Sequence, residues 1–126
     1  MKNSNKKVQT IGPEQCHLWN EEYTKEDKNI SGDFDQLFTY IDDSHLIRRL
    51  LKCRDCGQLY FYEFYEEIDW INGKDPQYRK WIPIQSKADA DILSKVSIFE
   101  IFTYLPQLQS NWPSEDISPV FQWVGK

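Results

Sequence analysis

The sequence contains few of the residues on which most enzymes and metal sites depend. Among its 126 residues are two histidines, three cysteines and five glycines. No glycine-rich phosphate loop occurs, and neither His17 nor His45 stands in a motif with a nucleophile. Three unevenly spaced cysteines cannot form the disulfide framework of a small secreted domain. These absences favour a non-catalytic protein whose cysteines stay reduced.

Long hydrophobic runs are also missing. No apolar stretch approaches the ~20 residues that a transmembrane helix needs, and the polar, basic residues 1–10 lack the apolar stretch of a secretory signal. We therefore expect a cytoplasmic protein that does not bind membranes. Its length suits one domain. We predict a flexible segment at residues 1–10 and a single globular domain over residues 11–126.

Negative charge exceeds positive charge, and the excess lies in the middle of the chain. The 15 Lys and Arg residues stand against 20 Asp and Glu residues. Residues 31–70 carry nine of these acids but only four of the basic residues. Such a segment, folded compactly, repels nucleic-acid phosphates and attracts a basic protein surface, although a merely solvated acidic face has the same composition. We expect a basic protein partner and no nucleic acid.

The hydrophobic pattern predicts an α+β fold with a small antiparallel sheet at its centre. The strongest strand covers residues 58–70, where aromatic side chains are enriched and alternate with acids. Turn residues at 72–76 reverse the chain into a second strand over residues 78–84. Residues 45–52 supply a third strand. Pro83 suggests that the second of these strands lies at an edge.

Helices are predicted to pack on this sheet. Over residues 33–42 apolar residues recur at i, i+3, i+4 and i+7, the spacing of one helical face. A second helix is predicted over residues 87–104, because Ser86 is placed to cap its first turn. Residues 108–126 contain two prolines among polar residues and are expected to form an extended tail whose aromatic side chains pack on the domain.

A Cys-x-x-Cys-Gly motif supplies half of a metal site. Cys53 and Cys56 have the spacing with which a tight turn directs two sulfurs at one Zn²⁺ ion, and Gly57 permits the turn. Zn²⁺ usually takes four ligands, so two more are needed. The remaining candidates are Cys16, His17 and His45. The alternative is that the three cysteines are reduced and pack as small hydrophobic side chains.

The segment Cys53-Arg54-Asp55-Cys56-Gly57 resembles a knuckle of the zinc-ribbon family. A degenerate second knuckle begins at Cys16, with Trp19 in the place of its second cysteine. The resemblance implies a structural zinc ion held by the three cysteines and a histidine, for which we take His17. It also implies a structural or accessory module of a larger assembly.

Aromatic and acidic side chains follow directly after the knuckle. Tyrosine and tryptophan contribute much of the energy of protein interfaces, and carboxylates select a cationic partner. The candidate partner-binding residues are Tyr62, Glu63, Tyr65, Glu66, Glu67, Asp69 and Trp70. Two other roles stay open for them: the carboxylates can serve acid–base catalysis, and the aromatic side chains can serve only the core.

In size and charge the chain resembles the small acidic immunity proteins with which bacteria neutralise their toxins. The resemblance implies an inhibitor that blocks the basic substrate cleft of a partner, such as a nuclease toxin, through an acidic aromatic surface. A non-catalytic inhibitor of this class is the function that the sequence favours. A zinc-ribbon-like module is the alternative.

Overall fold

The computed structural model describes residues 8–20, 30–113 and 120–126. Within these ranges the chain forms one antiparallel sheet, in which the strands lie in the order of the sequence. Its six strands are β1 (Phe34–Asp42), β2 (Leu46–Cys53), β3 (Leu59–Glu66), β4 (Gln77–Ile84), β5 (Gln107–Trp112) and β6 (Val120–Val124). Two short helices, α1 (His17–Asn20) and α2 (Lys87–Leu93), and two 3₁₀ turns, at Ser31–Asp33 and Glu100–Thr103, complete the described elements. None of these helices is long and apolar enough to cross a membrane.

Both faces of the sheet are covered, and each has its own hydrophobic core. Successive residues of a strand point to opposite faces, so the central strands must be apolar at consecutive positions. The front-face core packs against α1 and consists of Cys16, Leu18, Ile30, Phe34, Leu51, Cys53, Tyr60, Trp81, Leu108 and Phe121. The back-face core packs against α2 and consists of Val8, Leu50, Phe61, Ile82, Ile84, Ala90, Leu93, Ile101 and Tyr104.

The predicted strands agree with the sheet at its centre. The strands predicted at residues 45–52 and 78–84 are confirmed as β2 and β4. The prediction of a strand over residues 58–70 was too long, because β3 ends at Glu66 and a loop follows it. Although β4 is an interior strand, its pairing with β5 ends at Trp81. Pro83 therefore lies where β4 has a neighbouring strand on one side only.

The helix predicted at residues 33–42 is wrong, because this segment is the strand β1. Its pairing with β2 shifts register twice between Gln36 and Ile41. Each irregularity of this kind interrupts the two-residue alternation of a strand. The resulting apolar spacing imitates a helical face, although Leu37 and Phe38 are 49% and 46% exposed.

The helix predicted at residues 87–104 is much shorter in the structure. Its start is correct, since the Asp89 N–H donates to Ser86 Oγ (3.4 Å) and the Asp89 carboxylate accepts from the Gln85 N–H (3.0 Å). Such a reciprocal pair of bonds fixes the first turn of a helix. However, α2 ends at Leu93, and only the 3₁₀ turn at Glu100–Thr103 continues the helical geometry.

A buried arginine sets the end of α2. The Arg48 Nη1 group donates to the carbonyl oxygens of Ser94 (3.1 Å) and Val96 (2.7 Å). The last carbonyls of a helix have no partner within it and carry partial negative charge, which a cation stabilises. The guanidinium group on β2 therefore holds the chain where a longer helix would have continued.

The predicted tail contributes two strands to the sheet. Residues 108–126 contain most of β5 and all of β6, and Phe121 is buried in the front-face core. Residues 114–119 lie outside the described residues, as do residues 1–7 of the predicted flexible segment. Val8 of that segment is buried in the back-face core. The chain is thus a small domain built mostly of sheet, with less helix than expected.

Three charged side chains lie buried side by side in the back face. Arg48 on β2, Glu63 on β3 and Lys80 on β4 are cross-strand neighbours, and none is more than 3% exposed. Glu63 Oε2 lies 2.7 Å from Arg48 Nη2, and Glu63 Oε1 lies 3.3 Å from Lys80 Nζ. Burial lowers the pKa of Lys80, and the charge of Glu63 opposes that shift. We call these residues the buried charge row.

Replacing the central carboxylate of this row should strongly destabilise the protein. Glu63→Gln keeps the side-chain volume but leaves two buried cations without a counter-charge, so we expect the free energy of unfolding to fall by about 3–5 kcal/mol. Glu67→Gln removes an exposed carboxylate nearby and should change it by less than about 0.5 kcal/mol. Urea denaturation of both variants measures the difference. Equal stability of the two would contradict the structural role of Glu63.

Candidate metal centre and recognition loop

The fold brings the three cysteines together at one end of the sheet. Cys16 directly precedes α1, Cys53 is the last residue of β2, and Cys56 lies in the turn between β2 and β3. The Cys16 and Cys53 sulfurs are 3.9 Å apart, and all three sulfurs lie within 4.8 Å of one another. Three thiol groups in this arrangement can bind a metal ion.

The Cys-x-x-Cys-Gly motif forms a tight turn between β2 and β3. The Gly57 N–H donates to the Cys53 carbonyl (2.9 Å), and the Cys53 N–H donates to the Gln58 carbonyl (2.8 Å). Gly57 adopts a φ of 82°, a conformation that side chains with a Cβ rarely take. The glycine therefore allows the chain to reverse while Cys53 and Cys56 stay on its inner side.

Cys16 is held in place by the front face. Its N–H donates to the Pro13 carbonyl (2.8 Å), and its sulfur accepts a hydrogen bond from the Tyr60 hydroxyl (3.1 Å). The Trp123 Nε1–H donates to the Leu18 carbonyl (2.8 Å), so β6 anchors α1 directly. These contacts fix the Cys16 sulfur opposite the β2–β3 turn.

Burial governs the acidity of Cys16 and Tyr60. It raises the pKa of the Cys16 thiol to about 12, an effect that the hydrogen bond from Tyr60 opposes and the neighbouring cysteines reinforce. Burial likewise raises the pKa of Tyr60, which therefore stays a hydrogen-bond donor. A buried thiol of this kind is protonated at neutral pH unless a cation stabilises the thiolate.

His17 lies beside the cysteines with each ring nitrogen near a different group. Its Nδ1 is 3.9 Å from Cys53 Sγ and 3.6 Å from a carboxylate oxygen of Asp55. Its Nε2 is 3.5 Å from a carboxylate oxygen of Asp33. The other histidine, His45, is remote from the cysteines. Its Nδ1 atom contacts Glu66 Oε1 (3.2 Å) beyond the opposite end of β2.

The candidate partner-binding residues do not share one surface. Tyr62 belongs to the front face, where its ring lies 5.4 Å from that of Trp81. Tyr65 belongs to the back face, where it stacks on Tyr78. Glu63 is fully buried between two cations, so its assignment to an exposed recognition surface is corrected. Alternation along β3 separates these side chains.

The other four candidates lie together at the end of β3 and in the loop that follows it. They are Glu66, Glu67, Asp69 and Trp70. In this loop Trp70 and Ile71 are 89% and 91% exposed, more than any other large hydrophobic side chains that the structure describes. We call residues 67–76 the recognition loop. Ile71 was missed in the sequence, where the signal was an apolar pair directly before the turn residues Asn72 and Gly73.

Hydrogen bonds of two aspartates fix the shape of the recognition loop. Asp69 Oδ1 accepts from the N–H groups of Ile71 (3.2 Å) and Asn72 (2.9 Å), and its carbonyl accepts from Gly73 (2.8 Å). Asp75 Oδ1 accepts from the Asp69 N–H (2.9 Å). The bonds from Asn72 and Ile71 lower the pKa of Asp69, which keeps its carboxylate ionised. The exposed apolar pair therefore stands on a preformed turn.

Alkylation should distinguish the three thiols of the metal-free protein. Cys56 is partly exposed, whereas Cys16 and Cys53 are fully buried. Only the accessible thiolate reacts with iodoacetamide, so Cys56 should be modified first and the other two only as the protein unfolds. Peptide mass spectrometry over a time course at neutral pH checks this order. Equal rates at all three positions would contradict the described burial.

Comparison with known proteins provides no relative for this arrangement. No family model matches the sequence, and no curated protein or solved structure is significantly similar to it. A function must therefore be inferred from the side chains themselves.

Proposed function

We propose that this protein is a non-catalytic binding module that inhibits a basic protein partner through its recognition loop. The observation that carries the proposal is the pair Trp70–Ile71, which is almost fully exposed on a turn that Asp69 and Asp75 hold in shape. The exposure of two large apolar side chains to water is unfavourable in free energy. Their burial in a partner's pocket is the most direct explanation for a loop built to display them.

The loop has the properties of an interface hot spot. Tryptophan is among the residues that contribute most when an interface forms. Because the turn is already ordered, little conformational entropy is lost on binding. Glu66 and Glu67 lie at the base of the loop, and carboxylates at the rim of an interface select and steer a cationic partner. The expected partner therefore has an apolar pocket bordered by Lys or Arg.

An immunity protein for a nuclease toxin fits this description. A nuclease needs a basic cleft to hold the phosphate backbone of its nucleic-acid substrate. A protruding loop with an apolar tip and acidic base can enter such a cleft and exclude the substrate by occupancy and by charge. This proposal retains the expectation from the sequence but moves its centre from β3 to the recognition loop.

We further propose that the cysteine cluster and His17 hold one structural zinc ion. Four ligands at Zn–S distances of about 2.3 Å in a tetrahedron place sulfurs about 3.8 Å apart. The separations of Cys53 Sγ from Cys16 Sγ and from His17 Nδ1 are both 3.9 Å. Four protein ligands leave no open position for a substrate, so the ion would have a structural role.

The surroundings of His17 support it as the fourth ligand. Zinc-binding histidines usually donate their second ring N–H to a carboxylate, which orients the ring. Asp33 stands at that place, next to Nε2. Asp55 is the competing ligand, because its carboxylate lies near the same Nδ1 atom. The ion would join α1 to the β2–β3 turn, as the zinc-ribbon alternative also requires.

Metal analysis tests the zinc proposal. The purified protein should carry one zinc ion per chain, and Cys53→Ser should lose it. His17→Ala should weaken zinc binding by about tenfold or more, as loss of a ligand or its support does, whereas Asp55→Asn should leave it unchanged. Elemental mass spectrometry and competition with a chelator measure both. If Asp55→Asn weakened zinc binding and His17→Ala did not, Asp55 would be the fourth ligand. A purified protein that contains no zinc and binds none would refute the proposal.

Partner binding tests the proposed inhibition. The partner is identified by affinity purification with mass spectrometry from the native cell, then purified and titrated by calorimetry. Trp70→Ala should raise the dissociation constant by about 30-fold or more, the loss expected of a hot-spot residue. Phe99→Ala removes another exposed aromatic side chain, since Phe99 is 79% exposed, and should leave the affinity unchanged.

The same partner decides between inhibition and simple association. An inhibitor abolishes the partner's activity at equimolar concentration, and Trp70→Ala relieves that inhibition in parallel with its loss of affinity. If both variants bind equally well, the recognition loop is not the interface. If no specific partner is recovered, the proposed function is wrong.

A further inference from the structure

Among the residues that the structure describes, two of the four arginines have no acidic partner. Arg48 pairs with Glu63, and Arg54 pairs with Asp35 at 2.8 Å. By contrast, no carboxylate within residues 8–20, 30–113 and 120–126 forms an ion pair with Arg49 or Arg79. Both of these side chains are half-buried in the sheet rather than extended into solvent. In a chain with an excess of acids, two partly desolvated and unpaired arginines require an explanation.

The sheet register places these two arginines around one tyrosine. Arg49 on β2 lies directly opposite Tyr62 on β3, and Arg79 on β4 lies opposite Phe64, the next residue of β3 on the same face. All four side chains therefore belong to the front face. Tyr62 and Phe64 occupy the middle strand, with one guanidinium group on each side of them.

Contacts fix the orientation of Arg79. Its guanidinium carbon lies 4.9 Å from the centre of the Phe64 ring, a distance typical of a stacked cation. The positive charge of the same group acts on the nearby Tyr62 hydroxyl and opposes the rise of its pKa. Stacking leaves the edge of the planar guanidinium group, which carries the N–H donors, available to a ligand.

Arg49 is the less satisfied of the two. Its Nε atom is buried and has no hydrogen-bond partner among the described residues. A buried donor without a partner costs about 1–3 kcal/mol, and more when it is charged. Burial raises the pKa of Tyr62 although both arginines oppose that shift, so the phenol stays a third donor between them. A negatively charged group would satisfy all three.

We propose that Arg49, Tyr62 and Arg79 form a binding site for an oxyanion, either a carboxylate or a phosphate group. Guanidinium groups bind both through pairs of parallel N–H···O bonds, and the tyrosine hydroxyl supplies a further donor. The site lies on the front face of the sheet, apart from the metal cluster. It does not depend on the proposed inhibition of a partner.

Arginine side-chain NMR tests this site in the intact protein. The Nε–H signals of Arg49, Arg54 and Arg79 are assigned from the loss of one signal in each single Arg→Gln variant, which leaves the remaining signal to Arg48. Inorganic phosphate and acetate are then titrated separately, with sodium chloride at equal ionic strength as the reference. The signals of Arg49 and Arg79 should shift and saturate with at least one of the two anions, whereas that of Arg54 should follow the chloride reference.

Variants show whether anion binding requires the paired N–H donors of the guanidinium group or only its positive charge. Arg79→Lys keeps the charge but cannot form two parallel bonds, so it should weaken binding by about tenfold. Arg54→Gln is the matched control and should have no effect. Saturation by phosphate alone would assign a phosphate site, and saturation by acetate would assign a carboxylate site. Shifts no larger than those with chloride, or equal shifts at Arg54, would overturn the proposal.

Discussion

The buried carboxylate of Glu63 is the interaction on which the back half of this fold depends. It neutralises Arg48 and Lys80 on the two neighbouring strands, and no solvent reaches any of the three. Arg48, held in this way, also binds the carbonyls that follow α2. Lys80 lies 4.2 Å from the centre of the Phe102 ring, in the 3₁₀ turn at Glu100–Thr103. The Glu63 carboxylate therefore positions β2, β3 and β4. Through Arg48 and Lys80 it also positions the end of α2 and the 3₁₀ turn that cover these strands.

The front face is held together by contacts at one end of the sheet. There Cys16 holds the start of α1 against the β2–β3 turn, which contains Cys56 and directly follows Cys53. The eight residues of β3 then run from this end to the recognition loop at the other, a distance of about 25 Å at the usual rise per residue. The cysteine cluster and the exposed loop are therefore separated along one strand, so a change in the loop need not disturb the cysteines.

The sequence predicts best what is decided by neighbouring residues. The knuckle follows from the spacing of Cys53 and Cys56 and from Gly57, and the start of α2 follows from Ser86. The approach of Cys16 to the knuckle depends on contacts with Tyr60 and β6 that no local pattern contains. Its selection rested on the scarcity of other ligands and on the resemblance of its surroundings to a degenerate second knuckle.

Predictions failed where pairing or burial overrides the local pattern. The irregular pairing of β1 gave its apolar residues helical spacing. The short α2 reflects an arginine supplied from β2, 46 residues earlier in the chain. The prediction that Glu63 lies on a recognition surface failed for the same reason. Alternation along β3 shows that Glu63 shares a face with Phe61, but it does not show that a cation lies opposite Glu63 on each neighbouring strand. Proline residues near β5 and β6 concealed two strands whose pairing is non-local.

Although most acids of residues 31–70 lie at the surface, several of them already have partners within the chain. Asp35 is paired with Arg54, Asp33 and Asp55 lie beside His17, and Glu63 is buried.

Three of the nine acids of this segment, Glu66, Glu67 and Asp69, lie at the recognition loop, and two of them already have local partners. Glu66 contacts His45 and Gln77, and the carboxylate of Asp69 is occupied by the backbone of its own loop. Exposed charges of this kind contribute modestly to affinity and are screened by salt. In the proposed complex these carboxylates would contribute specificity for a basic partner, whereas Trp70 and Ile71 would contribute most of the binding energy.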